Sequence, residues 1–172
     1  MDVVTGPDSI REQELTRLVG QYQTSLRRMC YAILRDEEWA KDAVQETFLK
    51  AYRTMDTFRG ECGEKTWLMR IAINTCRDIR RSAWVRHIDR RVTPEEVPGL
   101  SSTVDMEKIE LMLAIMRLPK GLKEVTLLYY YQDMTMQETA DALGISPSAV
   151  SKRLTRAQAK LRALLEGREL HE

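Results

Sequence analysis

Residues Thr135–Leu165 read TMQETADALGISPSAVSKRLTRAQAKLRALL, and two helices joined by a tight turn can be placed on them residue by residue. Thr135 and Glu138 have the S/T-x-x-E spacing of a capping box, in which each side chain satisfies a free N–H at the helix start. Gly144 follows the short first helix, where a positive φ closes the last turn. Ser146 then caps a second helix with Pro147 at its first position, where a missing N–H costs nothing. Ala140 is small where the helices must approach, and Val150 fills their angle. The pattern is a helix-turn-helix, a unit whose second helix ordinarily lies in the DNA major groove.

The second helix has two faces. At 100° per residue Val150, Leu154, Ala157, Leu161 and Leu164 form a core stripe. Ser148, Lys152, Thr155 and Arg156 project roughly opposite, with Ser151, Arg153 and Lys160 on the flanks. Such charge runs are most often plain solvated faces. Between Pro147 and Leu165, however, there is no acidic residue. That asymmetry, together with the caps and the turn glycine, favours a polyanionic ligand.

With 43% apolar and 31% charged residues, the 172-residue chain can bury a core and is not a disordered polymer. The net charge of +1 excludes nothing, but its distribution along the chain is uneven. Asp36, Glu37, Glu38, Asp42 and Glu46 form an acidic stretch relieved by Lys41. Lys65, Arg70, Arg77, Arg80, Arg81, Arg86, Arg90 and Arg91 follow, against Asp78 and Asp89. Glu95, Glu96, Asp105 and Glu107 then separate this basic region from the second basic helix. Two basic surfaces on a nearly neutral chain fit one long nucleic acid touched twice.

The start, MDVVTGPDS, lacks the basic and apolar parts of a signal peptide, and no apolar run approaches ~20 residues, so a cytoplasmic protein is expected. Cys30, Cys62 and Cys76 show no C-x-x-C spacing, so neither zinc nor a disulfide framework is indicated, and no cofactor is called for. Cys30 and Cys76 read as small core residues and Cys62 as a loop thiol.

Helical periodicity runs from Ser9 to about Leu34, resumes after the capping residue Asp36, and returns from near Lys65 to at least Arg81. TPEEVPGLSST, after Arg91, has linker composition. Helices resume at about Asp105, stop at Leu118-Pro119, and run again from Leu122 to Tyr131. No strand alternation or solenoid repeat appears. The expectation is therefore all-α: two small helical domains joined by a flexible linker, the C-terminal one containing the helix-turn-helix. The boundaries are 9–91, a linker at 92–104, and 105–168.

On the third helix Leu68, Ile71, Ala72, Thr75 and Ile79 share one face, and Arg70, Asn74, Arg77 and Arg81 share a narrow stripe on the other. Asparagine is a mediocre helix former, but it can pair with a base edge while arginines hold phosphates. Phe58, just before this helix, could stack on an extruded base. It could equally pack in the core, and Asn74 could simply bridge locally. Trp67 is assigned to the core, and Trp84 to neither role.

Three blocks carry a family resemblance: DAVQETFLKAYR (Asp42–Arg53), FRG with TWLMRIAINTCRD (Phe58–Asp78), and LP with EVTLLYYYQDMTMQETADALGISPSAVSKRLTRA (Leu118–Ala157). In this order the chain resembles the extracytoplasmic-function group of bacterial RNA polymerase sigma factors. The likeness implies a non-enzymatic subunit that recruits core RNA polymerase to promoters, recognises their −10 and −35 elements and helps open the DNA, often in a stress response. It implies polymerase binding by Asp42, Gln45 and Glu46, although a solvated acidic face is the simpler alternative. It implies −10 contacts from Lys50, Phe58, Arg70, Asn74, Arg77 and Arg81, with Phe58 and Asn74 lining a flipped-base pocket. It implies −35 contacts from Ser148, Ser151, Lys152, Arg153, Thr155, Arg156 and Lys160. An anti-sigma factor is the implied regulatory partner, with no direct insertion into a membrane.

Two departures bear on the DNA face. Ser151 precedes Lys152 where relatives often have a basic residue before serine, and Gln158 stands where they often have arginine. Base preferences therefore do not transfer. Two other classes compete: a repressor or activator with a sensing N-terminal domain, and a nuclease built on Asp36, Asp42 and Glu46. No histidine converges with those carboxylates, since His87 and His171 are isolated in sequence.

Overall fold

The computed structural model describes residues 6–82 and 106–169, all of them helical or connecting, with no strand among the described residues. Trp84 and the linker expected at 92–104 lie outside them.

Helix α1 (Pro7–Leu34) opens on a proline and ends at Arg35, whose left-handed backbone (φ 56°) aims its N–H at the Tyr31 carbonyl, 2.8 Å away. That sharp stop lets Asp36 cap α2 (Glu37–Thr54), accepting from the Trp39 N–H at 3.0 Å. A 3₁₀ turn (Met55–Thr57) and a loop through Gly60 (φ 71°) lead into α3 (Glu64–Arg81). The three helices close on Leu26, Met29, Leu68, Met69 and Ile73, none of them more than marginally exposed. At ~25 cal/mol per Å² of apolar area, each such side chain contributes roughly 1.5–3 kcal/mol.

The second part comprises α4 (Met106–Met116), α5 (Lys120–Thr126), a π-helical segment (Leu127–Tyr131), α6 (Met136–Leu143) and α7 (Pro147–Glu169). The capping box forms: Thr135 Oγ1 accepts from the Glu138 N–H at 3.1 Å, and the Thr135 N–H donates to the Glu138 carboxylate at 2.8 Å. Gly144 has φ 66°, and Ser146 Oγ accepts from the Ala149 N–H at 3.1 Å. Val150 and Leu154 are buried under α5 and α6.

The two parts do not stand apart. Their apolar interior is continuous, from Leu26 and Met29 through Met116, Val125, Leu127 and Leu128 to Val150. Helix α3 lies against α6, and α1 against α4 and α5. Polar ties cross the same boundary. Arg35 donates to the Met116 carbonyl, Lys65 to the Gln132 carbonyl, and the Gln132 amide to the Ser25 carbonyl at 3.2 Å.

Candidate nucleic-acid interfaces

The stripe read from α3 is real as a line of cations, but its members differ in freedom. Asn74 and Arg81 are exposed, and Arg81 sits 3.6 Å from Asp78 one turn back. Lys50 on α2 reaches the same surface, 3.2 Å from Thr75 Oγ1 and 3.7 Å from Asp78. Arg70 is exposed yet engaged: Nε and Nη2 both donate to the Asp141 carbonyl of α6, at 3.1 and 2.9 Å. Arg77 is engaged more deeply. Its Nε and Nη2 grip the two Glu124 carboxylate oxygens at 3.1 and 2.7 Å, with side chains 23% and 3% exposed. The hydrogen bonds to Glu124 raise the Arg77 pKa above its ordinary value, so it stays charged at any accessible pH. Removing one partner of so buried a pair costs about 3–5 kcal/mol, because the other is left uncompensated.

Phe58 is half-buried and stacks on Trp67, with ring centroids 4.7 Å apart and planes at 24°. Both rings line a hollow of about 440 Å³ with Arg59, Cys62 and Arg70, and Asp141 of α6 closes one side. Asn74 lies beyond its lining. The hollow offers an aromatic wall and a guanidinium, a combination suited to a flat ring bearing hydrogen-bond acceptors. Trp67, assigned to the core from sequence, is indeed partly buried against it and also lends a face to this wall. An aromatic pair nine residues apart across a glycine turn was the signal available for it.

On α7, Ser148, Lys152, Thr155, Arg156 and Lys160 are exposed and Ser151 partly so. Arg153 turns back across the start of α5, its guanidinium close over Gly121. The helix therefore presents a polar, acid-free ridge with its own core stripe turned inward. Beside it Gln158 donates to the hydroxyl of the exposed Tyr130, a contact periodicity does not foretell.

Asp42 and Gln45 are exposed on α2 and Glu46 partly so. Next to them α1 and α2 form an apolar groove of about 490 Å³ floored by Leu15, Val19, Val44, Phe48 and the 41%-exposed Leu49. Sequence reading missed it, because a groove between two amphipathic helices leaves no mark on either pattern. Among the described residues no cluster of three or more metal-ligating side chains occurs, and no helix is long and apolar enough to cross a membrane.

Comparison with known proteins matches the chain in two stretches. The Sigma-70 region 2 family matches residues 18–86, and the Sigma-70, region 4 family matches residues 108–161. The chain is 32% identical to the RNA polymerase sigma factor NccH of Alcaligenes xylosoxydans xylosoxydans, covering 90% of this chain and 88% of that one. It is 30% identical to the ECF RNA polymerase sigma factor SigM of Mycobacterium tuberculosis, over 87% of this chain and 76% of the relative. Among solved structures, CnrH in complex with the cytosolic domain of CnrY superposes with a TM-score of 0.71 at 29% identity, covering 91% and 90% of the two chains.

Proposed function

Because the chain belongs to the extracytoplasmic-function sigma factors of bacterial RNA polymerase, a family that recognises promoters and initiates transcription, we propose that its two helical parts divide the promoter between them. Residues 9–91 bind core polymerase and open the −10 element, and residues 105–168 read the −35 element. On α2, Asp42, Gln45 and Glu46 offer carboxylates and an amide to the polymerase beside the α1–α2 groove. Arg70, Arg77, Arg81 and Lys50 neutralise phosphates, Asn74 pairs with a base edge, and Phe58 stacks on a base drawn from the duplex. Extruding that base costs a few kcal/mol, which stacking and pocket hydrogen bonds offset. On α7, Ser148, Ser151, Lys152, Thr155 and Arg156 meet base edges and phosphates in the major groove, with Arg153 and Lys160 on the flanks.

The observation that carries this reading is the pair of cationic faces, on α3 and α7, placed one in each of the two matched regions. The chain performs no chemistry of its own; the polymerase forms the phosphodiester bonds. It acts in the cytoplasm, where the chromosome is, and is held inactive by an anti-sigma factor. Support for that partner comes from CnrH, a relative seen in complex with the cytosolic domain of CnrY.

The test uses core polymerase reconstituted with this chain on a cognate promoter. Asn74→Ala is expected to lower open-complex formation by at least tenfold, a loss of ~1.4 kcal/mol, while binding to a −35 duplex stays unchanged. Equal losses in both assays would remove Asn74 from the melted strand.

A further inference from the structure

The segment that carries Phe58 is fastened to α1 at both ends, by two arginines of the same helix. At the near end, Arg11 Nη2 donates to the Tyr52 carbonyl at 2.6 Å, and Nη1 lies 3.2 Å from the Asp56 carboxylate. The same guanidinium sits 4.7 Å from the centre of the Tyr52 ring. At the far end, Arg17 donates through both Nη atoms to the carboxylate of Glu64, the first residue of α3. Tyr22 Oη donates to that carboxylate too, at 3.2 Å. Arg17 is itself aimed by its own helix: Glu14 accepts from Nε at 3.1 Å and Gln21 from Nη1 at 3.0 Å.

Between Asp56 and Glu64 the chain contains Gly60, at φ 71°, and Gly63, the residue just before α3. Two glycines in so short a span leave the backbone many conformations, so its order rests on the fastened ends and on the Phe58–Trp67 stack. The Arg17 side chain is 44% exposed and that of Asp56 69%, so these pairs add little to global stability. What they fix is the separation and direction of the two ends of the loop that walls the hollow. Both arginines precede residue 18, where the region 2 match begins.

Resting on the reading of Phe58 as a base-stacking residue, we propose that the first turns of α1 brace this loop, with Arg11 and Arg17 as positioning residues for promoter opening. Neither touches DNA in this scheme. They hold the aromatic wall in its receiving shape before the base arrives, which removes an ordering cost from the melting step. A loop released at either end can still stack on Trp67. Fewer copies have the receiving shape at any moment, however, and the apparent affinity for the base falls by that fraction.

The experiment compares variants of the full chain, alone and reconstituted with core polymerase on the cognate promoter. Arg11→Ala combined with Arg17→Ala is expected to speed amide hydrogen exchange across residues 57–63, while protection in the cores of α1, α2 and α3 stays at the parent level. In the holoenzyme the same double variant should slow promoter opening roughly tenfold, with −35 duplex binding and assembly with core polymerase unchanged. Tyr22→Phe removes only the hydroxyl that reaches Glu64 and is expected to slow opening about threefold. It carries the test if circular dichroism shows the alanine variant misfolded. For whichever variant folds, opening at the parent rate, exchange that rises throughout the three helices, or weakened assembly with core polymerase would overturn the inference. Failure of the pocket reading is separable: Phe58→Ala would then open the promoter as the parent does.

Discussion

Helices α3 and α7 carry similar loads of arginine and lysine but hold them in opposite conditions. On α7 the core stripe faces inward, and Lys152, Arg156 and Lys160 stand in water. On the α3 face these cations are committed: Arg77 to Glu124, Arg70 to Asp141, and Arg81 and, from α2, Lys50 to Asp78. On the proposed reading, one surface meets a duplex as it is, whereas the other must first exchange partners. A cationic face is therefore defined by what its charges already hold as much as by their number. Surface pairs such as Arg81–Asp78 are worth less than about 1 kcal/mol and yield readily to a phosphate, but Arg77–Glu124 does not.

The strongest way to break this contrast is to disrupt the packing beneath α7. Val150 is fully buried where α7 crosses α6, so Val150→Asp places an unpaired carboxylate in the core. The expected loss exceeds ~4 kcal/mol. It should appear as lost helix content by circular dichroism and abolished −35 duplex binding. A folded variant that still binds would show that α7 does not depend on this packing. A smaller effect is expected from Arg156→Ala. If the guanidinium meets a base edge, its removal weakens −35 binding by about 1–3 kcal/mol and relaxes preference at one position. If it meets a phosphate instead, the salt-dependence slope falls by about one and preference stays unchanged. Titrations at several salt concentrations distinguish the two, and no change in either would remove Arg156 from the interface.

The finest probe is proton linkage at the boundary between the halves. Lys123 is 3% exposed, and burial, then Arg35 and Arg80, push its pKa down to about 7, only partly offset by Glu124. These neighbours come from the end of α1, from α3 and from α5 itself; Arg77 faces the same carboxylate. A lysine freed to water titrates near 10.5. Packing therefore carries no penalty from this group above that value. The penalty grows as pH falls towards about 7 and is constant below it. Stability should accordingly rise from pH 7 to pH 9 at up to ~1.4 kcal/mol per unit. Thermal unfolding across that range should show the rise, and Lys123→Met should flatten it. A parent curve with no slope would mean Lys123 keeps its proton when packed.

Local signals were legible where the chemistry is local. Thr135 with Glu138, Gly144, Ser146 with Pro147, and Asp36 each announce a helix boundary within four residues, and each forms as read. Cys30 and Cys76 are buried as their helical spacing implied. The segment from Leu122 to Tyr131 reads as one helix, yet α5 already begins at Lys120 and its end is π-helical, the Gln132 N–H reaching the Leu127 carbonyl at 3.0 Å. Five residues are too few for a changed repeat to show in a hydrophobic pattern. Least legible was the embrace of the halves. Arg77 and Glu124 are 47 positions apart, and nothing near either names the other. A linker composition between two helical patterns implies independence, whereas burial at Met116, Val125 and Leu127 creates a shared interior.

Arg35 turns the chain between α1 and α2 in a left-handed conformation that costs an L-residue roughly 1–2 kcal/mol and a glycine almost nothing. Its guanidinium is also what reaches the Met116 carbonyl in the distant half. Arg35→Gly would ease the bend and in the same stroke unfasten that tether. Comfort at the corner and cohesion across the molecule thus pull against each other in a single side chain.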